Sequence, residues 1–189
     1  MQITDQKAAL RKTAFAARKA AHGAAGDAAQ AARDHFLASR FHTGAAVISA
    51  YRPIRTEIDP TPLMEALFAA GHRLCVPVIQ GAGLALKFAE WAPGEAMTHG
   101  PFGAEVPADL RWVEPDLLIA PLVAFDAGCW RLGYGGGFYD RSLEELRAKR
   151  PTRAVGYAYE AQLVGQIPRD PTDQQLNAVI TEAGLRKPR

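Results

Sequence analysis

Residues 117–141 read LLIAPLVAFDAGCWRLGYGGGFYDR. The stretch opens with Leu117–Val123, an apolar run with the length of a buried strand. After a turn-rich segment, residues 138–150 place apolar side chains on one face of a predicted helix. A strand that leads through a glycine-rich loop into a helix is typical of α/β proteins, whose ligands bind beyond the carboxyl ends of the strands.

The rest of the chain repeats this alternation of apolar strands and helices. The first helix is predicted to begin after Thr4, the candidate N-cap residue. Further helices are predicted at 27–40 and 62–70, and further strands at 45–51, 73–79, 84–89, 153–159 and 178–181. We predict an α/β fold with a mainly parallel sheet covered on both faces. Because we find no internal repeat or linker, we expect one domain over residues 1–189.

The composition excludes several classes of protein. The chain is 48% hydrophobic and 22% charged, with a net charge of only +2, which is too small to indicate nucleic-acid binding. No apolar run approaches the ~20 residues that span a bilayer, and the N-terminus lacks a secretory apolar region. The two cysteines form neither a disulfide framework nor a CxxC zinc motif. We therefore expect a cytoplasmic protein without membrane or nucleic-acid partners.

The glycine loop, Gly133–Gly137, is the strongest candidate for a binding site. Its backbone N–H groups could face an anion at the N-terminus of the next helix, and Arg131 adds a guanidinium suited to phosphate. The loop matches neither GxGxxG, because Phe138 replaces the last glycine, nor a Walker A motif. Glycines alone favour a structural turn as much as a phosphate site. Aromatic residues and Asp140 at the helix start favour the phosphate site, and an acid beside phosphate indicates Mg²⁺.

Residues 120–143, APLVAFDAGCWRLGYGGGFYDRSL, resemble the signature of the 5-formyltetrahydrofolate cyclo-ligase family. That signature is a strand ending in proline, then Phe-Asp, then Arg-Leu-Gly-x-Gly-x-Gly-Tyr/Phe-Tyr-Asp. Lys7 and Arg11, spaced K-x3-R, resemble the family's ATP-contacting pair, and residues 50–53 followed by Glu57 resemble its pterin-binding segment. The resemblance implies a three-layer α/β/α fold like that of sugar-phosphate isomerases and CoA transferases.

The resemblance also implies a reaction and a set of roles. ATP would phosphorylate the formyl oxygen of 5-formyltetrahydrofolate, and N10 would then attack the formyl carbon and release phosphate. For ATP the implied contacts are Lys7, Arg11, Arg131, Leu132, Gly133, Tyr134, Gly135, Gly136, Gly137, Phe138 and Tyr139. For folate they are Arg52, Glu57, Tyr134, Gly135, Gly136, Gly137 and Phe138. Arg131, Tyr134 and Tyr139 would act at the reacting centre, and Asp140 and Asp173 would hold Mg²⁺.

Two departures from the family pattern keep alternatives open. The family usually has His-Asp and, four residues later, a second Asp, whereas this chain has Thr172-Asp173 and Asn177. These differences motivate an alternative: a folate or nucleotide sensor without turnover. A sugar-phosphate isomerase or CoA-transferase-like protein is a further alternative, disfavoured by the basic first helix and Asp140. We expect a monomer whose partner is a small-molecule folate with one or more glutamates.

Overall fold

The structure, a computed structural model, describes residues 2–189 and all of their side chains except that of Phe102. Within these residues the helices are α1 (Ile3–Gly23), α2 (Ala28–Ser39), α3 (Thr61–Ala69) and α4 (Phe138–Lys149). The strands are β1 (Val47–Ser49), β2 (Arg73–Ile79), β3 (Leu86–Trp91), β4 (Met97–His99), β5 (Glu105–Pro107), β6 (Leu117–Ala120), β7 (Ala124–Phe125), β8 (Arg131–Leu132), β9 (Arg153–Tyr157), β10 (Ala178–Thr181) and β11 (Gly184–Arg186).

The central sheet has seven strands in the order β11-β10-β9-β6-β1-β2-β3. The five inner strands are parallel, and the edge strands β3 and β11 run antiparallel to their neighbours. The predicted mainly parallel sheet is therefore confirmed. From β1 the chain moves outward to β2, whereas from β6 it moves outward in the other direction to β9 and β10. The order thus reverses between β1 and β6, and ligands of open α/β sheets bind beyond the carboxyl ends of the strands at this point.

Helices cover both faces of the sheet and make three layers. On one face Phe36 of α2 and Leu67 of α3 pack in a core that includes Ile48 and Ile119. On the other face α4 contributes Leu143 to a separate core. All of these side chains are buried. Burial of apolar side chains on both faces explains why the inner strands are apolar along their whole length, and it confirms the α/β/α expectation.

Helix α1 lies beside the segment that follows β6. Its Ala14 is buried in a small cluster with Val123 and Leu132, and Leu10 and Phe15 pack against the same cluster. This docking turns the basic side of the helix towards the glycine loop. Although α1 is long, no helix within residues 2–189 is both long and apolar enough to cross a membrane.

Some local predictions were wrong. Helix α1 begins at Ile3 rather than after Thr4, because the carbonyl of Gln2 already accepts a bond from the amide of Gln6 (3.1 Å), and Gln2 makes no side-chain cap. Strand β1 is shorter than predicted and β3 is displaced by two residues. The hairpins β4–β5 and β7–β8 and the edge strand β11 were not predicted. These strands have two or three residues each, too few for a periodic pattern.

Candidate active site

The glycine loop joins β8 to α4 and has a backbone that only glycine adopts readily. Gly135 (φ 105°) and Gly137 (φ 65°) are in the left-handed region, where a side chain would introduce strain. Arg11 from α1 lies against the loop, with its Nε donating to the carbonyl oxygen of Gly133 at 2.8 Å. A Cβ atom at Gly135 would lie 3.4 Å from the Arg11 guanidinium carbon. The loop and the basic face of α1 are therefore in direct contact.

Arg131 is a charged residue two positions before the glycine loop, and it is buried. Its side chain is 5% exposed, and its Nη2 lies 2.9 Å from Oδ1 of Asp140 in an ion pair. The pair lacks hydrogen-bond geometry, so Nε and Nη2 of Arg131 have no hydrogen-bond partner. The guanidinium also lies 5.4 Å from the ring centre of Tyr139. A buried guanidinium with unused donors at the N-terminus of a helix is suited to an anion, since unpaired buried donors are costly.

Lys7 is held between two acids from the far end of the chain. Its Nζ lies 2.7 Å from carboxylate oxygens of both Asp170 and Asp173. Burial by itself would lower the pKa of Lys7, but hydrogen bonds to the two carboxylates outweigh this effect and raise the pKa. The same bond to Lys7, with bonds from Thr172, lowers the pKa of Asp170 to about 2. The contacts bring α1 against the 170–173 turn.

Asp140 and Asp173 meet the same segment of chain. The amide of Gln174, the residue after Asp173, donates to Oδ1 of Asp140 at 3.0 Å. Within residues 2–189 no three His, Cys, Asp or Glu side chains are grouped so that they could hold a metal ion. Mg²⁺ commonly takes only one or two protein carboxylates and completes its shell with substrate phosphates and water. The two acids therefore fit a Mg²⁺ ion that arrives with a nucleotide better than a metal held by protein alone.

Glu57 lies in a buried charged cluster with Arg18 and Tyr134. Its side chain is 4% exposed, and its Oε1 is 3.9 Å from Nη1 of Arg18, while Oε2 accepts a bond from the amide of Ile54 at 2.9 Å. Burial raises the pKa of Glu57, although the Ile54 bond and the Arg18 charge oppose the rise. Arg18 also donates to the hydroxyl of Tyr134 at 2.6 Å. The loop residue Tyr134 thus joins the glycine loop to Glu57.

The remaining predicted residues lie at different depths. Leu132 is buried in the core, so only its backbone could reach a ligand. The hydroxyl of Tyr139 is buried without a hydrogen-bond partner, and burial raises its pKa. Phe138 is half-buried and lies 5.5 Å from the Arg141 guanidinium. Arg52 makes its contacts outside the glycine loop: its guanidinium lies 5.9 Å from the ring centre of Trp91 and pairs with Glu105 at 3.4 Å.

Sequence reasoning gave no role to two residues that the structure brings into the site. Arg18 lies seven residues after Arg11, a helical spacing that puts it on the same side of the first helix, and this spacing was the available signal. Asp170 lies three residues before Asp173 and shares its lysine. Asn177, one of the departures, lies at the amino end of β10, where its side chain accepts a bond from the amide of Ala154 in β9 at 2.8 Å.

Two open clefts of the described chain lie elsewhere. One, of about 590 Å³, is bordered by Phe88, Trp112 and Lys149, and the other, of about 350 Å³, by Phe68 and Arg111. Neither lining includes a residue of the glycine loop, α1 or the Glu57 segment. The geometry described above therefore places the candidate active site at the sheet reversal and not in these clefts.

The fold and the site are those of an α/β protein with a candidate anion site, formed by buried arginines and a glycine loop beyond the carboxyl ends of parallel strands. The sequence profile of the 5-formyltetrahydrofolate cyclo-ligase family matches residues 3–182. This chain therefore belongs to the 5-formyltetrahydrofolate cyclo-ligase family, and it is an enzyme of the ligase class.

Individual relatives agree with this assignment. The 5-formyltetrahydrofolate cyclo-ligase of Escherichia coli K12 is 42% identical over 132 residues, which are 66% of this chain and 71% of the relative. The enzyme of the same name from Mycolicibacterium smegmatis is 31% identical over 144 residues, 71% of this chain and 72% of the relative.

Solved structures show the same fold. The NMR structure of Aquifex aeolicus 5,10-methenyltetrahydrofolate synthetase superposes with a TM-score of 0.75 at 26% identity, covering 96% of this chain and 92% of that one. A 5,10-methenyltetrahydrofolate synthetase from Mycoplasma pneumoniae gives a TM-score of 0.74 at 27% identity, covering 93% and 98%. The fold and family expected from the sequence are confirmed.

Proposed function

We propose that this chain converts 5-formyltetrahydrofolate to 5,10-methenyltetrahydrofolate with ATP and Mg²⁺, and releases ADP and phosphate. The formyl oxygen attacks the γ-phosphorus, and the bond to the leaving ADP oxygen breaks. N10 then attacks the activated formyl carbon and loses its proton, and the carbon–oxygen bond breaks to release phosphate. Atoms and charge balance without a protein nucleophile, so the protein contributes binding, orientation and charge stabilisation.

The observation that carries the proposal is the buried guanidinium of Arg131 beside the glycine loop. Two of its nitrogen atoms lack hydrogen-bond partners, and the positive end of α4 lies next to it. A phosphoryl group placed there would meet donors whose direction is already set. In phosphoryl transfer such preorganised donors stabilise the charge on the transferred group.

The other basic residues would extend this phosphate site. Arg11 contacts the loop from α1, and Lys7, one turn earlier on the same helix, is held by Asp173. Lys7 and Arg131 are paired with the acids that we assign to the metal, Asp173 and Asp140. A bound Mg²⁺ would supply a positive charge that neutralises phosphate oxygens. The two acids would orient it, while Lys7 turns its donors from Asp173 to the phosphates.

The folate would bind on the other side of the glycine loop. Glu57 is an acceptor in a buried position, and the pterin ring presents an edge of N–H donors that suits a carboxylate. Tyr134, between Gly133 and Gly135, lies between this acid and the phosphate site. Tyr134 and Tyr139 would line the junction where the formyl oxygen meets the phosphoryl group, and Arg52 would lie further out along the folate.

A direct assay tests the proposal. Purified protein is incubated with 5-formyltetrahydrofolate, Mg²⁺ and ATP, and the near-ultraviolet absorbance of the methenyl product is followed against samples without ATP and without Mg²⁺. We expect product only in the complete mixture, in a one-to-one ratio with ADP. Binding of both ligands by calorimetry without any product would contradict the proposal and favour a sensor.

We further propose that the chain works as a single-domain cytoplasmic monomer on free folate, with one or more glutamates, and without membrane or nucleic-acid partners. The proposed site residues contact one another within the chain, Lys7 with Asp173 and Arg18 with Tyr134, and this supports a monomer. Light scattering coupled to size-exclusion chromatography under assay conditions would test it. A dimer whose dissociation abolishes turnover would contradict it.

A further inference from the structure

Arg18 is the most deeply buried charge in the described part of the chain, and no role has yet been given to it. Its side chain is 1% exposed although it lies on a helix that faces solvent over much of its surface. Burial of a guanidinium is costly unless its donors and its charge are satisfied. A position of this kind is expected to serve structure or function in a specific way.

The guanidinium of Arg18 bonds to three different segments. Nε donates to Oγ1 of Thr56 at 3.1 Å, and Nη2 donates to the hydroxyl of Tyr134 at 2.6 Å. Nη1 donates to the carbonyl oxygen of Leu122 at 3.4 Å and lies 3.9 Å from Glu57. These segments follow β1, β6 and β8, so Arg18 lies where the strand order reverses.

Only an arginine fits this arrangement. The planar guanidinium carries five donors on three nitrogen atoms, and each nitrogen of Arg18 bonds to a different segment, whereas the three donors of a lysine share a single nitrogen and cannot span these acceptors. The ring of Tyr134 is also held by aromatic and cationic neighbours: Phe15 at 5.4 Å and Arg55 at 5.7 Å. Its hydroxyl accepts the bond from Arg18 and also interacts with the Glu57 carboxylate.

We propose that Arg18 is a positioning residue for the folate site, which fixes the Tyr134 hydroxyl beside Glu57 and supplies, at 3.9 Å from the carboxylate, the positive charge that Glu57 needs at this depth. The inference rests on the proposed function, because it takes Glu57 as the acceptor for the pterin ring. Arg18 does not touch the reacting atoms. It acts through Glu57 and Tyr134.

The positive charge of Arg18 lowers the pKa of Glu57, so loss of Arg18 affects folate binding in a definite direction. Burial raises the pKa of Glu57, whereas the Ile54 amide, Arg18, Tyr134 and Arg55 lower it. Tyr51 and Tyr139 also face Glu57, and burial raises the pKa of each, so both are neutral at pH 7. Loss of Arg18 removes a lowering charge, and the pKa of Glu57 then rises further. More of Glu57 is protonated at a given pH, so folate binding fails at a higher pH than in the wild type.

The experiment compares Arg18→Met, Arg18→Lys and Thr56→Val with the wild type. KM for 5-formyltetrahydrofolate, KM for ATP and kcat are measured from pH 6 to 9, and folate binding is followed by calorimetry. For Arg18→Met we expect a rise of about tenfold or more in folate KM at pH 7, since a charged partner is lost, and the rise shrinks as pH increases. KM for ATP changes much less. Arg18→Lys keeps the wild-type pH profile with a raised KM, and Thr56→Val has the smallest effect.

Two further variants separate positioning from general damage. Glu57→Gln has no carboxylate to titrate at this position. In the Glu57→Gln background, adding Arg18→Met should therefore leave the pH dependence of folate KM unchanged. Lys19→Met removes an exposed charge from the next position of α1 and should match the wild type. Urea unfolding shows which variants remain folded, and Arg18→Lys and Thr56→Val test the inference if Arg18→Met does not fold.

The outcomes distinguish this inference from the proposed function. A wild type that neither binds nor converts folate would overturn both. An active wild type would overturn the positioning role alone if folded Arg18→Met kept the wild-type pH profile, if Arg18→Lys kept the wild-type KM for folate, or if the folded Arg18 variants lost ATP and folate affinity equally. A folate-specific loss with a displaced pH profile, cancelled by Glu57→Gln, is the expected result.

Discussion

The two sides of the active site hold their charges differently. On the phosphate side (Lys7, Arg11, Arg131, Asp140, Asp173 and the glycine loop), cations and acids lie 2.7–2.9 Å apart, and Asp173 keeps 14% and Asp140 18% of its side chain exposed. On the folate side (Arg18, Glu57 and Tyr134), the ion pair is longer, 3.9 Å, but its side chains are 1% and 4% exposed.

This difference suggests that each side is adapted to its ligand. The acids of the phosphate side keep some contact with solvent, so Lys7 can exchange Asp173 for phosphate oxygens when a charged ligand and a metal arrive. The buried pair is costly to disturb, so the folate side is preorganised for one orientation of a neutral ring. Mutations on the phosphate side should therefore change the dependence on metal and nucleotide. Mutations on the folate side should change folate affinity and its pH dependence.

The largest effect is expected for Arg131→Met on the phosphate side. Loss of one preorganised donor to a developing negative charge lowers kcat by about 10²–10³-fold, and Arg131→Lys restores part of it. Steady-state kinetics with both substrates varied measures the change. Lys149→Met, at the exposed end of α4, is the control. A wild-type kcat in folded Arg131→Met would exclude this role.

Glu57→Gln should produce the largest effect on the folate side. The amide keeps the shape but loses the charge, and hydrogen bonds to a charged group contribute about 1.5–3 kcal/mol. We expect folate KM to rise about 10–100-fold while KM for ATP stays close to wild type. Equal changes in both constants would show that the two sides do not act separately and would contradict the comparison.

Only mutations on the phosphate side should change the Mg²⁺ concentration that the reaction requires. Asp173→Asn and Asp140→Asn each remove a proposed Mg²⁺ ligand, so the Mg²⁺ concentration for half-maximal activity should rise about tenfold. Asp170→Asn is the matched control, because Asp170 binds Lys7 but is not assigned to the metal. Titrations that shift equally in all three variants would contradict the assignment of Asp140 and Asp173.

The smallest effect is expected for Asp170→Asn on stability. The folded-state pKa of Asp170, about 2, is below its ordinary value of 3.8. Its contribution is therefore fully present above about pH 4 and is lost as the pH falls through about 2. Because the pair is partly exposed, we expect less than about 1 kcal/mol at pH 7.

Urea unfolding of wild type and Asp170→Asn at pH 7 and at steps down to pH 3 measures this effect. The difference between the two proteins should shrink as the pH falls. Asp109→Asn, an exposed acid paired with Arg111, should behave like the wild type. If the difference in the free energy of unfolding grew as the pH falls, the pKa of Asp170 would be raised in the folded state rather than lowered, and the prediction would be wrong.

Elements with a strong local pattern could be predicted from the sequence. The strands Arg73–Ile79 and Ala178–Thr181 have the predicted bounds, because each is a short apolar run that a turn or polar segment delimits. Helix α4 was predicted to within one residue from the spacing of its apolar side chains and the following proline. The directions of β3 and β11 could not be predicted, because strand direction depends on the partner across the sheet.

Part of the candidate site could likewise be predicted from the sequence, and part could not. The glycine loop and Arg131 are contiguous in the chain and could be recognised from residues 131–137 alone. The bond between Lys7 and Asp173 joins residues 166 positions apart, and that between Arg18 and Tyr134 joins residues 116 positions apart. Their ligand roles remain predictions, because the contacts describe how the protein holds these side chains and not what binds to them.

The sequence by itself therefore determined the α/β class, the family, and the loop with which the protein is proposed to bind phosphate, since these depend on local spacing and residue type. Only the tertiary structure decided that Arg18 is buried against Glu57, that Asp170 shares Lys7 with Asp173, and that Asn177 bonds to β9 at the amino end of β10. The physical reason is that burial and charge pairing depend on neighbours brought together by packing, whereas turns and periodicity depend on residues a few positions apart.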